Sequence, residues 1–278
     1  MAGPLLAGYA VHHLILFVDR AMATDLGAGR AAALNYAYHL ALIVGQLSGL
    51  AVSTAVFPRL AEQIADGDAA GARTNLSDAL GLVWAIGLPA ACGLIALRTP
   101  VVSALFEHGA FDQAATAAVS GPLGWYALAV LADAVCQPLW RVVYARRRAG
   151  IVVGVNGLQT GLRWGANVAL TPRFGYHGLA ISALIGLAVQ AVVLGWLARR
   201  WLGAYLALDW WHDAARVLLA TAAALAPLAL LAAWQPGHAP AWLQVSTGGA
   251  AAGMIYLVAL WLLNYRRRSW FEDWANTS

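Results

Sequence analysis

Eight long apolar stretches run through this chain, and most of its charged residues lie between them. Each stretch has the length that a helix needs to cross a bilayer, roughly 17–25 residues. Only 11% of the 278 residues are charged, far below the share in soluble domains, so a water-soluble fold could not cover its surface. The stretches lack the alternation of barrel strands, and backbone groups in hydrocarbon must bond within their own helix. The sequence therefore predicts an all-α, polytopic membrane protein.

Short polar or turn-forming segments, such as Pro58-Arg59 and the run ARRRAG at 145–150, mark the ends of these predicted spans. Most tryptophans lie near the proposed ends, where an indole N–H can stay wet; Trp84 and Trp164 are exceptions. The segment 59–78 mixes polar and apolar residues, and either a short interfacial helix or a solvated connector is expected there. The predicted spans are 3–24, 33–57, 79–97, 117–140, 150–171, 177–198, 213–234 and 241–263.

The distribution of the 17 basic residues, all of them Arg, predicts the orientation. The N-terminus, the even-numbered connections and the tail share one side, which holds twelve Arg against four on the other. The positive-inside rule places the Arg-rich side, and with it both termini, in the cytoplasm. The seventeenth, Arg163, lies within a span. The twelve are Arg59, Arg73, Arg141, Arg146, Arg147, Arg148, Arg199, Arg200, Arg216, Arg266, Arg267 and Arg268, and the four are Arg20, Arg30, Arg98 and Arg173.

Several function classes are not expected. The Arg clusters lie at span ends rather than along an aromatic-rich basic stripe, so no nucleic-acid partner is predicted. Cys92 and Cys136 lie inside apolar spans and are interpreted as small buried residues, and no metal or other cofactor is expected. The sequence has no nucleophile elbow, phosphate loop or zinc-protease motif, which argues against an enzyme. An intramembrane enzyme using His12, His39 and Asp133 stays open as an alternative.

Ionisable side chains inside spans are costly and usually face a partner or a cavity. Asp133 in the fourth span and Arg163 in the fifth lie at depths that differ by roughly one to two helical turns. A buried Asp133–Arg163 pair is therefore predicted, either as a clamp between helices or as the lining of a polar path. Asp19 and Arg20, near the outer end of the first span, are expected to be interfacial anchors. Small residues around Gly45 and Gly49 predict close helix packing, with a polar cavity stripe as the alternative.

Five short motifs occur in a fixed order along the first two hundred residues. This series resembles the MurJ/MviN family of lipid II flippases, in the multidrug/oligosaccharidyl-lipid/polysaccharide exporter superfamily. The resemblance runs from about residue 14 to 200. The motifs are LNYA at 34–37, TAVFPRLAEQIADGD at 54–68, LSDALGLVWAIGLPAACGLIAL at 76–97, LFEHGAFD at 105–112 and GYHGLAIS at 175–182.

The resemblance implies a fold, a function and a missing part. Family members have about fourteen membrane helices, arranged as two six-helix lobes around a cavity and a final helix pair. This chain resembles the second lobe, residues 1–200, followed by the pair and a cytoplasmic tail, residues 201–278. The implied function is translocation of lipid II across the bacterial cytoplasmic membrane. The implied partners are lipid II, membrane lipids and a first lobe, supplied by a longer protein or by a separate chain.

One departure from the family concerns the substrate site. The family motif YADR carries a cavity Arg, whereas this chain reads YAYH at 36–39, which places His39 at the Arg position. A neutral imidazole binds a diphosphate far less well than a bidentate guanidinium does. His39 is thus expected to act protonated or to be a packing residue. The candidate substrate-binding residues are His39, Asp19, Arg20, Asp133 and Arg163.

Two other functions stay open beside the flippase. The missing first lobe and the missing cavity Arg both favour the alternative of a non-transporting scaffold or regulatory half-protein. An exporter of another lipid-linked glycan would share the same fold.

Overall fold

The computed structural model describes residues 19, 21–27, 29–146, 148–206, 208–234 and 240–263. Residues 21–25 are helical and precede nine α-helices, and no strand occurs among the described residues. The helices are α1 Arg30–Gly45, α2 Ala51–Ala65, α3 Ala69–Ala96, α4 Arg98–Phe106, α5 Gln113–Ala145, α6 Ala149–Phe174, α7 His177–Leu202, α8 Leu208–Trp234 and α9 Ala241–Leu262, with a π-helical turn at Gln46–Leu50 between α1 and α2.

The prediction of an all-α, multi-pass membrane protein is confirmed. Five helical stretches in the described part are long and apolar enough to span a bilayer: Arg30–Ala65, Ala69–Ala96, Gln113–Ala145, His177–Leu202 and Ala241–Leu262. Helices α6 and α8, of 26 and 27 residues, match the predicted spans 150–171 and 213–234 and are long enough to cross. The first predicted span, 3–24, falls mostly outside the described residues.

The connector 59–78 differs from both expectations, because it is neither a separate interfacial helix nor an extended loop. Residues 59–65 continue α2 beyond Pro58, and residues 69–78 form the first turns of α3. Asp68 caps α3 by accepting a hydrogen bond from the Gly71 amide at 2.9 Å. The two helices bury apolar residues of this segment against each other, including the fully buried Leu60 and Leu76.

Close packing between α1 and α5 is confirmed at the two glycines. A Cβ on Gly45 would lie 2.3 Å from Val130 Cγ1, and one on Gly49 would lie 2.6 Å from Ala134 Cα. No side chain fits in that space, so the glycines set the distance between the helices. Gly49 lies within the π-helical turn, where Ser48 is fully buried and its hydroxyl donates to the Val44 carbonyl at 2.7 Å.

The last two helices pack on α3, and this contact explains the position of Trp84 away from a span end. The Trp84 ring lies edge-on to Trp210 of α8, with ring centroids 6.4 Å apart, so it is part of a helix contact. On α9, the Tyr256 hydroxyl donates to the Ala85 carbonyl at 2.6 Å. These contacts hold α8 and α9 against the side of the helix bundle.

The motif LFEHGAFD forms the turn between α4 and α5. Hydrogen bonds from Ser103 and Thr116 hold the pKa of the Glu107 carboxyl below its usual value. Gly109 adopts a φ of 61°, a conformation that other residues rarely take. Asp112 caps α5 by accepting from the Ala115 amide at 2.8 Å. This motif therefore has a structural role in the turn.

Candidate functional site

A buried ion pair joins Asp19, which precedes the helical residues 21–25, to α6. The Arg163 guanidinium donates to Asp19 Oδ2, and only 6% and 11% of the two side chains are exposed. Asn167, one turn further along α6, donates to Asp19 Oδ1 at 2.6 Å. The Ser182 hydroxyl of α7 donates to Asn167 Oδ1, which extends the network to a third element. We call Asp19, Arg163, Asn167 and Ser182 the buried polar cluster.

The structure corrects two predictions about these residues. Arg163 pairs with Asp19 and not with Asp133, so the predicted Asp133–Arg163 pair is wrong. Asp19 is only 8% exposed, and both of its carboxylate oxygens accept hydrogen bonds, so it is not an interfacial anchor. Asp133 is half-buried and accepts a hydrogen bond from Gln137, one turn along α5, at 3.1 Å. Arg20 lies outside the described residues.

Polar side chains follow the inward face of α6 on both sides of Arg163. Near the start of α6, Asn156 accepts a hydrogen bond from Gln190 of α7 at 3.1 Å. Gln159 is 1% exposed, and its Nε2 has no hydrogen-bond partner among the described residues. The same holds for Arg163 Nε and for Thr171 Oγ1 near the end of the helix. Buried polar groups are usually hydrogen-bonded in proteins, so these three atoms are exceptions within the described part of the chain.

The spacing of the polar residues in α6 is the signal that sequence reasoning missed. Asn156, Gln159, Arg163, Asn167 and Thr171 recur every three or four residues and so occupy one helical face. Asn167 and Ser182 were not among the predicted site residues. A search for helical periodicity of polar residues, rather than of apolar ones, would have identified Asn167.

His39 lies apart from the buried polar cluster. It is exposed on α1, on the same helical face as Asn35, Tyr36 and Ile43. Among the described residues, no hydrogen bond or ion pair connects His39 to the cluster, and the Tyr38 ring is its aromatic neighbour at 6.0 Å. Tyr38 itself is half-buried and lies edge-on to Tyr126 of α5, with ring centroids 5.5 Å apart. After Arg30, His39 is the one side chain of α1 that can become cationic.

A second open face lies on α6, opposite its polar side. Five glycines recur along it, and a Cβ added to any of them would meet no atom within 4 Å: Gly150, Gly154, Gly157, Gly161 and Gly165. Large apolar side chains flank the glycines, and Trp164 is 55% exposed. The arrangement thus combines a tightly bonded polar interior with open faces on α1 and α6. Neither face carries a permanent positive charge in its middle.

Comparison with known proteins identifies relatives of this chain. The family model described as lipid II flippase MurJ matches residues 1–245. Lipid II flippase MurJ of Burkholderia cenocepacia is 26% identical over 195 residues, which are 69% of this chain and 37% of that protein. A protein of Haemophilus influenzae described as a probable lipid II flippase MurJ is 28% identical over 197 residues, covering 69% and 38%. The chain thus spans less than two-fifths of the length of these relatives.

Among solved structures, lipid II flippase MurJ in an inward closed conformation has the same fold. It superposes with a TM-score of 0.74 at 18% identity, covering 91% of this chain and 51% of that chain. The resemblance inferred from the five motifs is confirmed by these matches.

Proposed function

Because the chain belongs to the lipid II flippase MurJ family, we propose that it supplies the second lobe and the last helix pair of a lipid II flippase. In this proposal residues 1–200 form the lobe and residues 201–278 form the pair and its tail. A first lobe, in the same protein or in a partner, completes the transport path. The match of nearly the whole chain to half of a flippase structure carries this proposal.

The open face of α1 supports a role in the transport path. A diphosphate–sugar head group cannot cross hydrocarbon without a wet, cationic route, while its lipid tail can stay in the bilayer. The exposed face of α1 presents Asn35, Tyr36 and His39, which can bond a polar head group once a second lobe excludes the lipid. Rocking of one lobe against the other would then expose this face to each side in turn.

The buried polar cluster has a different part in this proposal. Its side chains are bonded to one another across three elements, so they keep the lobe rigid while it moves as a body. Asp19 and Arg163 are therefore assigned to positioning, while His39 is assigned to the head group. A non-transporting half-protein is the second candidate, and the replacement of the family's cavity Arg by His39 favours it.

Reconstitution into vesicles tests the function. The isolated chain should move no labelled lipid II above the rate of empty vesicles, because half a cavity cannot enclose a charged head group. Co-expression with the first half of the Haemophilus influenzae relative should restore movement, with the full-length relative as the positive control. Movement of lipid II by the isolated chain would contradict the proposal that this chain forms only half of a transport cavity. If the chain assembles with the first half of the relative but moves no lipid II while the full-length control does, the non-transporting half-protein is favoured.

The proposed orientation has its own test. The excess of twelve Arg over four places both termini in the cytoplasm. A reporter fused after Ser278 should be active as a cytoplasmic enzyme, and one inserted near Gly237 should be active only when exported. The opposite pattern of reporter activities would show that both termini lie outside the cytoplasm and that the proposed orientation is inverted.

A further inference from the structure

A groove opens on the surface where α7 ends and the chain turns toward α8. It has a volume of about 500 Å³ and is bordered by Val192, Gly195, Trp196, Arg199, Tyr205 and Trp211. Its apolar wall is open to the surroundings, since Val192 is 71% exposed, and Trp196 and Trp211 are also largely exposed. Indole rings at a helix end are typical of the membrane–water boundary.

Specific contacts build this groove. Gly203 ends α7 with a φ of 87° and turns the chain back along the helix. The Tyr205 hydroxyl then donates to the Gly195 carbonyl at 3.2 Å, and a Cβ on Gly195 would lie only 3.0 Å from that hydroxyl. Burial raises the pKa of the Tyr205 phenol, while the charge of Arg199 acts in the opposite direction. The floor of the groove is therefore a fixed part of the fold.

Positive charge collects around the groove. Arg199 borders it directly, and the Arg200 guanidinium lies 5.5 Å from the Trp196 ring centroid. Outside the groove, near the end of α7, Arg146 donates to the Trp201 carbonyl at 3.2 Å, and Arg73 Nη1 lies near Gly203. Within the described part of the chain, none of these four Arg makes an ion pair, whereas Arg216 on α8 pairs with Asp213 at 3.0 Å.

We propose that this groove binds an anionic phospholipid, with the phosphate at Arg199 and Arg200 and an acyl chain along Val192 and Gly195. The charge requires an anion, and the exposed apolar wall requires that the anion carry a hydrocarbon chain. The charge and the apolar wall lie at the same depth in the membrane, because the indoles of Trp196 and Trp211 mark the boundary of the bilayer there. This site lies on the outside of α7 and is distinct from the route assigned to lipid II.

Lipid titrations of the purified full chain in neutral detergent test the proposal. Dioleoyl phosphatidylglycerol should bind with a measurable Kd by native mass spectrometry and should raise the unfolding temperature. Dioleoyl phosphatidylcholine should bind at least tenfold more weakly. Glycerol 3-phosphate should compete with neither lipid at the same concentrations, because it lacks the chain. Competition by glycerol 3-phosphate at equal concentration would make this a site for soluble phosphates and overturn the proposal.

Four variants separate the groove from general surface charge. Arg199→Gln and Arg200→Gln should each weaken phosphatidylglycerol binding about fivefold, in line with the attraction of one Arg to an anionic surface. Arg59→Gln, an exposed Arg on the same predicted side but outside the groove, should change binding less than twofold. Ala204→Phe, at an exposed position that borders the groove, should weaken binding tenfold while the unfolding temperature without lipid stays the same.

Two results with these variants would also overturn the proposal. Equal losses for Arg59→Gln and Arg199→Gln would show that the lipid responds to the whole basic surface. A change of oligomeric state in Ala204→Phe, with phosphatidylglycerol binding unchanged, would show that a second copy of the chain occupies the groove.

Discussion

Arg163→Ala should lower the free energy of unfolding by about 3–5 kcal/mol, the usual effect of removing one partner from a buried ion pair. The substitution leaves the Asp19 carboxylate in the interior with Asn167 as its remaining partner. An uncompensated buried charge costs far more than the lost attraction, because it has also given up its hydration. Denaturant unfolding of the purified chain in detergent, followed by far-UV circular dichroism, would measure the loss.

A double variant is the matched control for Arg163. Replacing the pair by apolar residues, as Arg163→Met with Asp19→Leu, removes both charges, and such exchanges are often neutral or stabilising. The double variant should therefore recover most of the stability that Arg163→Ala loses. If Arg163→Ala lowers the free energy of unfolding by less than about 1 kcal/mol, the pair does not form in the interior, because only exposed ion pairs contribute so little to stability.

His39→Arg should strengthen the binding of a lipid-linked diphosphate to the completed two-lobe transporter by about tenfold. A guanidinium offers a permanent charge and two parallel N–H donors, and a charge-assisted hydrogen bond contributes about 1.5–3 kcal/mol. An imidazole cannot offer two parallel N–H donors to one phosphate group, so the parent should bind the lipid more weakly than the variant. Fluorescence titration of labelled lipid against the parent and the variant is the measurement.

Two further variants separate the position from the charge. His39→Gln keeps a polar side chain without a positive charge, so it should bind far more weakly than His39→Arg. Asn35→Arg adds the same charge one turn away on the same exposed face and should help less than His39→Arg. If parent, His39→Gln and His39→Arg proteins all bind the lipid alike, His39 is a packing residue, and the diphosphate site lies elsewhere.

The helices themselves were predictable because their cause is local. A run of apolar residues of bilayer length has no alternative to the helix in hydrocarbon, and the predicted starts at 150, 177 and 241 agree with the structure within one residue. The segment 59–78 was not predictable in the same way. Its polar composition indicated the end of a span, yet α2 and α3 continue past the apolar runs because Leu60 and Leu76 are buried between them.

The pairing of Arg163 shows where sequence reasoning stops. Counting residues from a span end gives the depth of a side chain, and by depth Asp133 was an acceptable partner. The direction in which a side chain points around its helix depends on how the helices pack, and Arg163 shares its face with Asn167 and Gln159, toward Asp19 and α7. The position of His39 on the open side of α1 depends on the same information.

The π-helical turn at Gln46–Leu50 fixes the rotational phase between the two halves of the long helix Arg30–Ala65. One residue corresponds to about 100° of rotation in an α-helix. The wider turn takes up one extra residue, so residues 51–65 keep the orientation that a regular helix one residue shorter would give them. Without the wider turn, a regular helix of the same length would rotate Val56 and Leu60 out of the core by that angle. One wider turn thus keeps both halves of this long helix facing the same core.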